Sequence, residues 1–155
     1  AVIDDILVET KRLISEFPTY EKIVSTGHSL GAAIATLIAM DLISVVGQDV
    51  PVQLITFGSP RLFDVGGSEY VSSVIHDSYR VTHTKDVVPH LPTPMPIGYQ
   101  HISTEWYEDI YGNISECEKL EEDPSCASQW NRSFELNADD HMWYLGNYMS
   151  CPTND

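Results

Sequence analysis

Thr26-Gly27-His28-Ser29-Leu30-Gly31-Ala32-Ala33 sets a glycine two residues to either side of one serine. An apolar run, Ile23-Val24-Ser25, precedes it, and an alanine-rich apolar stretch, Leu30 to Val46, follows. This is the pattern of a sharp strand-to-helix turn, whose central residue takes a strained backbone conformation. Side chains at the flanking positions would collide with strand and helix, so glycine is expected at both 27 and 31. Ala32 and Ala33 let the helix lie close on the sheet. Such a turn holds the Ser29 hydroxyl at the top of the sheet with the first helical amides behind it. The backbone N–H of Leu30 is then the candidate donor to a developing oxyanion.

A serine hydroxyl is a weak nucleophile until a histidine takes its proton and a carboxylate orients that histidine. In strand-turn-helix sites of this kind the chain order is Ser, then Asp or Glu, then His. Asp86 fits the acid: it ends S-Y-R-V-T-H-T-K-D, just past a strand, where the carboxyl edge of the sheet falls. Asp64 comes too soon after the second strand, Asp77 sits before its strand, and Asp109 follows a different strand in an acidic run. Beyond the nearby His90, two histidines remain for the base. His101 lies in an alternating segment that reads as a strand, where a buried, hydrogen-bonded imidazole is the ordinary outcome. His141 follows Asp139 and Asp140 at the start of a closing helix, a position from which a ring can swing over the sheet edge. Spacing favours His141 and leaves His101 open. His28, His76 and His83 show no metal-ligand spacing, so neither a metal nor any other cofactor is expected.

The elements that must position these residues follow from periodicity. Residues 2 to 17 carry apolar side chains at helical spacing and stop before Pro18. Ile23 to Ser25 is a short strand, and Leu30 to Val46 a helix apolar almost all round, expected to be buried on more than one side. Val52 to Phe57 is a second strand, Gly67 to His76 a helix and Tyr79 to Thr84 a third strand. Pro89, Pro92, Pro94 and Pro96 stiffen an irregular loop. Tyr99 to Tyr107 alternates like a further strand, and Asp139 to Met149 reads as a closing helix. Strands alternating with helices predict an α/β fold with a largely parallel sheet, whose sites gather at the carboxyl ends of strands.

Composition narrows the functional classes. The 155 residues suffice for one domain, and 43% hydrophobic residues with three Trp, eight Tyr and four Phe argue for a packed core. No run approaches the roughly 18 consecutive apolar residues of a membrane span. A formal net charge of −15 disfavours nucleic acid and anionic membrane surfaces and suits a neutral substrate. Two sequons, Asn113-Ile114-Ser115 and Asn131-Arg132-Ser133, stand in polar sequence beside Cys117 and Cys126. Together they favour a secreted, oxidised protein. Cys151 then wants a partner this chain does not contain.

The sequence resembles the secreted fungal lipases of the class 3 type, a family that includes related feruloyl esterases. The resemblance rests on Phe17 to Ala33 (F-P-T-Y-E-K-I-V-S-T-G-H-S-L-G-A-A) and Leu54 to Arg61 (L-I-T-F-G-S-P-R). It continues through Tyr79 to Pro92 (Y-R-V-T-H-T-K-D-V-V-P-H-L-P), Gly98 to Tyr107 (G-Y-Q-H-I-S-T-E-W-Y) and the closing D-H-M-W-Y-L-G from Asp140. It implies an α/β-hydrolase-type fold, with Ser29 as nucleophile, Asp86 as acid and His141 as base, and makes His101 a non-catalytic position. It further implies a Cys117–Cys126 disulfide. Cys151 matches the family's C-terminal cysteine, whose partner lies near the mature N-terminus. Family domains carry on the order of 100 residues before the point matching Ala1, including the first strands, a second oxyanion donor and a lid helix. Residues 1–155 are thus expected to be the C-terminal part of a single lipase-like domain that lacks its N-terminal portion. Where relatives read P-R-V-G-N, this chain has Pro60-Arg61-Leu62-Phe63-Asp64.

The activity implied is hydrolysis of a carboxylic ester, a triacylglycerol foremost, through an acyl-enzyme at a lipid–water interface. His28, Val88, Leu91 and Leu145, close in sequence to the three catalytic candidates, are the candidate substrate-binding residues. A second polypeptide segment bridged to Cys151 is the expected protein partner. Two other readings remain: an inactive lipase-derived fragment or binding module, and an esterase for feruloyl or short-chain esters.

Overall fold

The computed structural model describes residues 2–46, 50–102, 104–118, 122–130 and 132–151. Helix α1 (Val2–Glu16) places Asp4 and Asp5 in its first turn, where the helix dipole favours negative charge. Arg12 reaches Glu9 at 2.7 Å and also pairs with Glu16. Strand β1 (Ile23–His28) runs three residues further than expected, into the serine motif itself, and helix α2 (Leu30–Val46) has the expected bounds, with Ser29 alone between the two. Strand β2 (Val52–Phe57) alternates buried and half-buried side chains. Helix α3 (Val65–Val74) follows the two-residue strand β3 (Phe63–Asp64). It starts two residues before the expected Gly67 because the Asp64 carboxylate caps it, accepting from the Gly67 N–H at 2.8 Å. Strand β4 (Asp77–His83) likewise begins earlier, since Asp77 and Ser78 pair with Gln53 and Leu54.

Two expected elements are not formed. Tyr99 to Tyr107 is not one strand but two, β5 (Tyr99–Gln100) and β6 (Glu105–Glu108). Between them side chains take the backbone carbonyls that a ladder would use. Ser68 Oγ donates to the His101 carbonyl at 2.5 Å and Arg80 Nε to the Ile102 carbonyl at 3.1 Å. Gln100 pairs with Phe63 of β3, outside the main sheet. The expected closing helix is a single 3₁₀ turn (Asp140–Met142) followed by a hairpin, β8 (Trp143–Tyr144) and β9 (Asn147–Tyr148). Leu145 and Gly146, the two loop residues, both take positive φ, 52° and 72°. Two successive left-handed residues match the twist of a tight hairpin and stop a helix.

The main sheet has the order β1-β2-β4-β6-β7, where β7 is Ile114–Glu116. The first four strands are parallel and β7 runs antiparallel to β6. Ala35, Ala39 and Leu42 of α2 pack with Val52 and Leu54 of β2, Val71 and Ile75 near the end of α3, and Ile102. Each large apolar side chain fully buried there, such as Leu54 or Ile75, contributes about 1.5–3 kcal/mol. Among the described residues, one stripe of α2, the helix expected to be buried on more than one side, is uncovered: Leu30, Ile34 and Leu37 are 69%, 49% and 48% exposed. At the other edge, buried Glu105 accepts from Thr82 Oγ1 (2.6 Å), the Ala127 N–H (3.1 Å) and Arg80 (3.3 Å). Beside it a disulfide joins Cys117 and Cys126 as the resemblance implies, and Cys151 is exposed, with no disulfide partner among the described residues.

Candidate active site

The carboxyl ends of β1, β2 and β4 lie side by side, with His28 opposite Phe57 and Phe57 opposite Val81. Ser29 is the single residue between β1 and α2 and takes a left-handed φ of 58°, a conformation costly for any residue with a side chain. Its N–H donates to the Phe57 carbonyl at 3.0 Å, and its own carbonyl receives the Ala32 N–H at 2.9 Å. The steric demand for glycine falls on one neighbour only. A Cβ on Gly27 would lie 2.2 Å from the Gly31 carbonyl oxygen, whereas a Cβ on Gly31 would meet nothing within 4 Å. The expectation that Gly31 relieves a collision is therefore corrected: its Cβ direction is open. Leu30 opens α2, so its N–H is among the first-turn amides that have no partner within a helix.

Asp86 stands three residues past β4, only 1% exposed. Its N–H closes a turn on the His83 carbonyl at 3.0 Å, and its carboxylate has three donors. The Val88 N–H reaches Oδ1 at 2.8 Å, while His141 Nδ1 (2.8 Å) and the Tyr144 hydroxyl (2.5 Å) both reach Oδ2. Tyr144 is buried; burial, then the Asp86 charge, pushes its hydroxyl well above the ordinary tyrosine value, so it keeps the proton it donates to Asp86. Gly58 follows β2 with φ +56° and occupies the space beneath this group. A Cβ there would lie 2.9 Å from Asp86 Oδ2, 2.9 Å from the Tyr144 hydroxyl and 3.0 Å from His141 Cε1.

His141 is held on its other sides by residues of β1 and β4. His28 Nε2 donates to the His141 carbonyl at 2.8 Å, and the two rings stack with centroids 4.4 Å apart. Burial is the main cause holding His28 below the ordinary imidazole value; its bond to that carbonyl opposes the shift. The neighbouring Asp140 carboxylate accepts from the Lys85 N–H at 2.9 Å and from Thr84 Oγ1, and His83 Nδ1 donates to the Asp140 carbonyl at 2.9 Å. Burial alone would raise the Asp140 carboxyl, but these hydrogen bonds outweigh it and keep it below the usual range.

Asp86 and His141 are thus in direct contact, and His28 brings the residue adjoining Ser29 against the same imidazole. His101 lies apart: it is buried, with Nε2 donating to the Pro89 carbonyl at 2.7 Å. Of the expected substrate-binding residues, Val88 lies two residues past Asp86 and Leu91 lines an apolar cavity of about 400 Å³ with Val87, Pro94 and Leu136. Leu145 sits on the β8–β9 turn, half exposed, its N–H bound to Glu108 at 2.9 Å. Sequence reasoning missed Gly58 and Tyr144. The glycine stood in a turn-rich G-S-P-R and the tyrosine in a segment read as helix, so neither spacing pointed at Asp86.

A mostly parallel sheet with helices packed on it, and a left-handed serine at a strand-helix junction, define an α/β-hydrolase-type chain. The family model described as Lipase (class 3) matches residues 1–95. Secreted mono- and diacylglycerol lipase A of Penicillium cyclopium is 35% identical over 149 residues, covering 92% of this chain and 47% of that protein. A lipase of Rhizopus niveus is 32% identical over 130 residues, 82% of this chain and 33% of the other. The Rhizomucor miehei lipase propeptide complex superposes with a TM-score of 0.84 at 28% identity, covering 95% of this chain and 48% of that one. A triacylglycerol lipase described as having a serine protease triad as its catalytic centre also gives 0.84 at 28% identity, over 96% and 56%. The chain belongs to the class 3 lipase family and spans about half the length of these relatives or less.

Proposed function

We propose that this chain carries the catalytic triad of a secreted serine ester hydrolase acting on acylglycerols. The observation that carries the reading is the 2.8 Å bond from His141 Nδ1 to the buried Asp86 carboxylate, made by an imidazole that stacks on the neighbour of Ser29. His141 Nε2 takes the proton of Ser29 Oγ as the oxygen attacks the ester carbonyl. Asp86 stabilises the imidazolium that forms and keeps Nε2 turned toward the serine. The Leu30 N–H donates to the oxyanion, and one such donor is worth roughly 100- to 1000-fold in rate. The alcohol leaves with the proton from His141, and water, activated by the same imidazole, releases the acid. Leu91, with Val87, lines the apolar cavity offered to the acyl chain, and Val88 and Leu145 are further candidate contacts.

Acylglycerol substrates are supported by the names of the relatives, and an external compartment by the secreted ones among them together with the Cys117–Cys126 disulfide. In this reading the working domain comprises the chain together with the further length those relatives possess. The test is an intact mass under non-reducing conditions, before and after an alkyl phosphonate that traps activated serines. One adduct mapped to Ser29 and absent from the Ser29→Ala protein is expected. A full-length protein that hydrolyses no acylglycerol and takes up no phosphonate overturns the reading. Preference for short or feruloyl esters over acylglycerols would move the substrate class and leave the mechanism.

A further inference from the structure

The first sequon falls on a part of the fold that the proposed chemistry does not use. Strands β6 and β7 are joined by residues 109–113, and the Asp109 carboxylate organises that turn. Its Oδ1 accepts the N–H groups of Tyr111 (2.8 Å) and Asn113 (2.9 Å), and Gly112 takes φ +79° to complete the bend. Asn113 and Ser115 are both exposed, and β7 is the edge strand of the sheet with all three of its residues exposed. Around the sequon three large apolar side chains face outward: Ile110 (68% exposed), Tyr111 (82%) and Ile114 (48%). An open edge strand beside exposed apolar residues is a template for pairing with another chain, and proteins usually cover or charge such edges. Here the charge protection is slight, since β7 offers Glu116 alone.

We infer that Asn113 is an N-glycosylation site whose glycan covers the β7 edge and the Ile110-Tyr111-Ile114 patch. The amide chemistry fits the folded turn. Asn113 Nδ2 has two hydrogens and uses one to donate to Asp109 Oδ2 at 2.9 Å. In the transfer, that nitrogen forms a bond to the anomeric carbon of a lipid-diphosphate-linked oligosaccharide. It gives up its other proton, and the lipid diphosphate leaves with the electron pair of the broken C–O bond. The product amide keeps one N–H, so the Asp109 bond and the turn survive the modification. The Ser115 hydroxyl supplies the second half of the recognition sequence. The other sequon begins at Asn131, which lies outside the described residues.

The experiment is peptide mapping of the full-length protein secreted from a yeast, before and after an amidase that releases N-glycans and leaves aspartate behind. The peptide holding residue 113 is expected to carry glycan and to read aspartate after release, which separates it from the Asn131 peptide. Ser115→Ala is expected to abolish the modification while leaving the Asn113–Asp109 bond, whereas Asn113→Gln removes both. The Ser115→Ala protein and the enzymatically deglycosylated wild type are expected to aggregate several-fold faster by light scattering. An unmodified Asn113 overturns the site. A modified Asn113 whose removal leaves aggregation unchanged overturns the shielding role. Neither readout depends on ester hydrolysis.

Discussion

Gly58→Ala is the sharpest probe of how the site is held together. The residue sits just past β2 with φ +56°, its N–H bound to the Val81 carbonyl at 3.0 Å, so its backbone cannot easily rotate away. Placing an alanine in this left-handed conformation costs about 1–2 kcal/mol. The added Cβ would also press on Asp86 Oδ2, the Tyr144 hydroxyl and His141 Cε1, each at 2.9–3.0 Å. Overpacking of this kind adds about 1–3 kcal/mol. The sum, about 2–5 kcal/mol, corresponds to a fall in Tm of roughly 5–15 °C for a chain of this size. Relief of the clash must move at least one of three groups that meet at Asp86, and a misplacement approaching 1 Å costs about 100-fold in rate. The cavity beside Leu91 and Val87, proposed to take the acyl chain, is lined by other residues, so kcat is expected to fall while KM stays near its original value. Steady-state kinetics on a soluble ester and a thermal melt read both quantities. A Gly58→Ala protein with wild-type kcat and Tm would refute the geometry on which the triad assignment stands.

The remaining predictions probe single contacts. Tyr144→Phe keeps the ring against His28, Phe57 and His83 but removes one donor from a buried carboxylate. The expected loss is about 1.5–3 kcal/mol of stability in urea unfolding, and a loss under about 0.5 kcal/mol would mean the hydroxyl is not bonded to the charged form. Gly27→Ala is expected to prevent folding, because its Cβ would overlap the Gly31 carbonyl; Gly31→Ala should fold and gain up to about 1 kcal/mol of helix propensity. Circular dichroism of the two proteins checks the contrast, and equal effects would contradict it. Stability should also fall as pH drops from about 7 to 5. Burial lowers the imidazole pKa of His101, with the Arg80 and Arg61 charges adding to it, and burial lowers that of His28. The unfolded chain then binds more protons below about pH 6.5, so the stabilisation is complete above that pH and is lost beneath it. His101→Gln is expected to flatten the slope of urea midpoint against pH; a slope unchanged by that substitution would count against the buried neutral imidazole.

What the sequence made legible was whatever repeats with the period of its own element. The parallel strands, helix α2 and the strand-turn-helix at Ser29 each carry their signal in consecutive residues. The position of Asp86 followed because it is fixed by the end of β4. The misreadings lie where a distant partner decides the backbone. Residues 101 and 102 alternate like a strand, yet Ser68 and Arg80, from elements far back in the chain, take their carbonyls. The segment after His141 reads as the continuation of a helix, and the left-handed pair Leu145-Gly146 turns it into a hairpin. A Leu-Gly turn lacks the Asn-Gly or Asp-Gly signature that would have announced it. That same hairpin delivers Tyr144 to Asp86, which explains why reading a helix there hid the tyrosine's role.

The placement of His141, the proposed base, therefore depends on polar contacts more than on regular structure. His141 lies in one 3₁₀ turn with none of its three residues buried, too little packing to fix an imidazole by itself. Among the attachments that orient it are four from across the chain: Asp86 on the ring, His28 on its carbonyl, and Thr84 with Lys85 on the preceding aspartate. All four belong to β1 or to the turn that leaves β4. Ser29 and Asp86 stand at those same strand ends, so the proposed nucleophile, the proposed acid and the anchors of His141 share one rigid support. Shear between β1 and β4 would disturb all three together, and β2, bonded to both along its length, is what prevents it. Gly58, just past β2, is then both the steric floor of the Asp86–His141 pair and the end of the strand that sets the dimensions of the proposed triad.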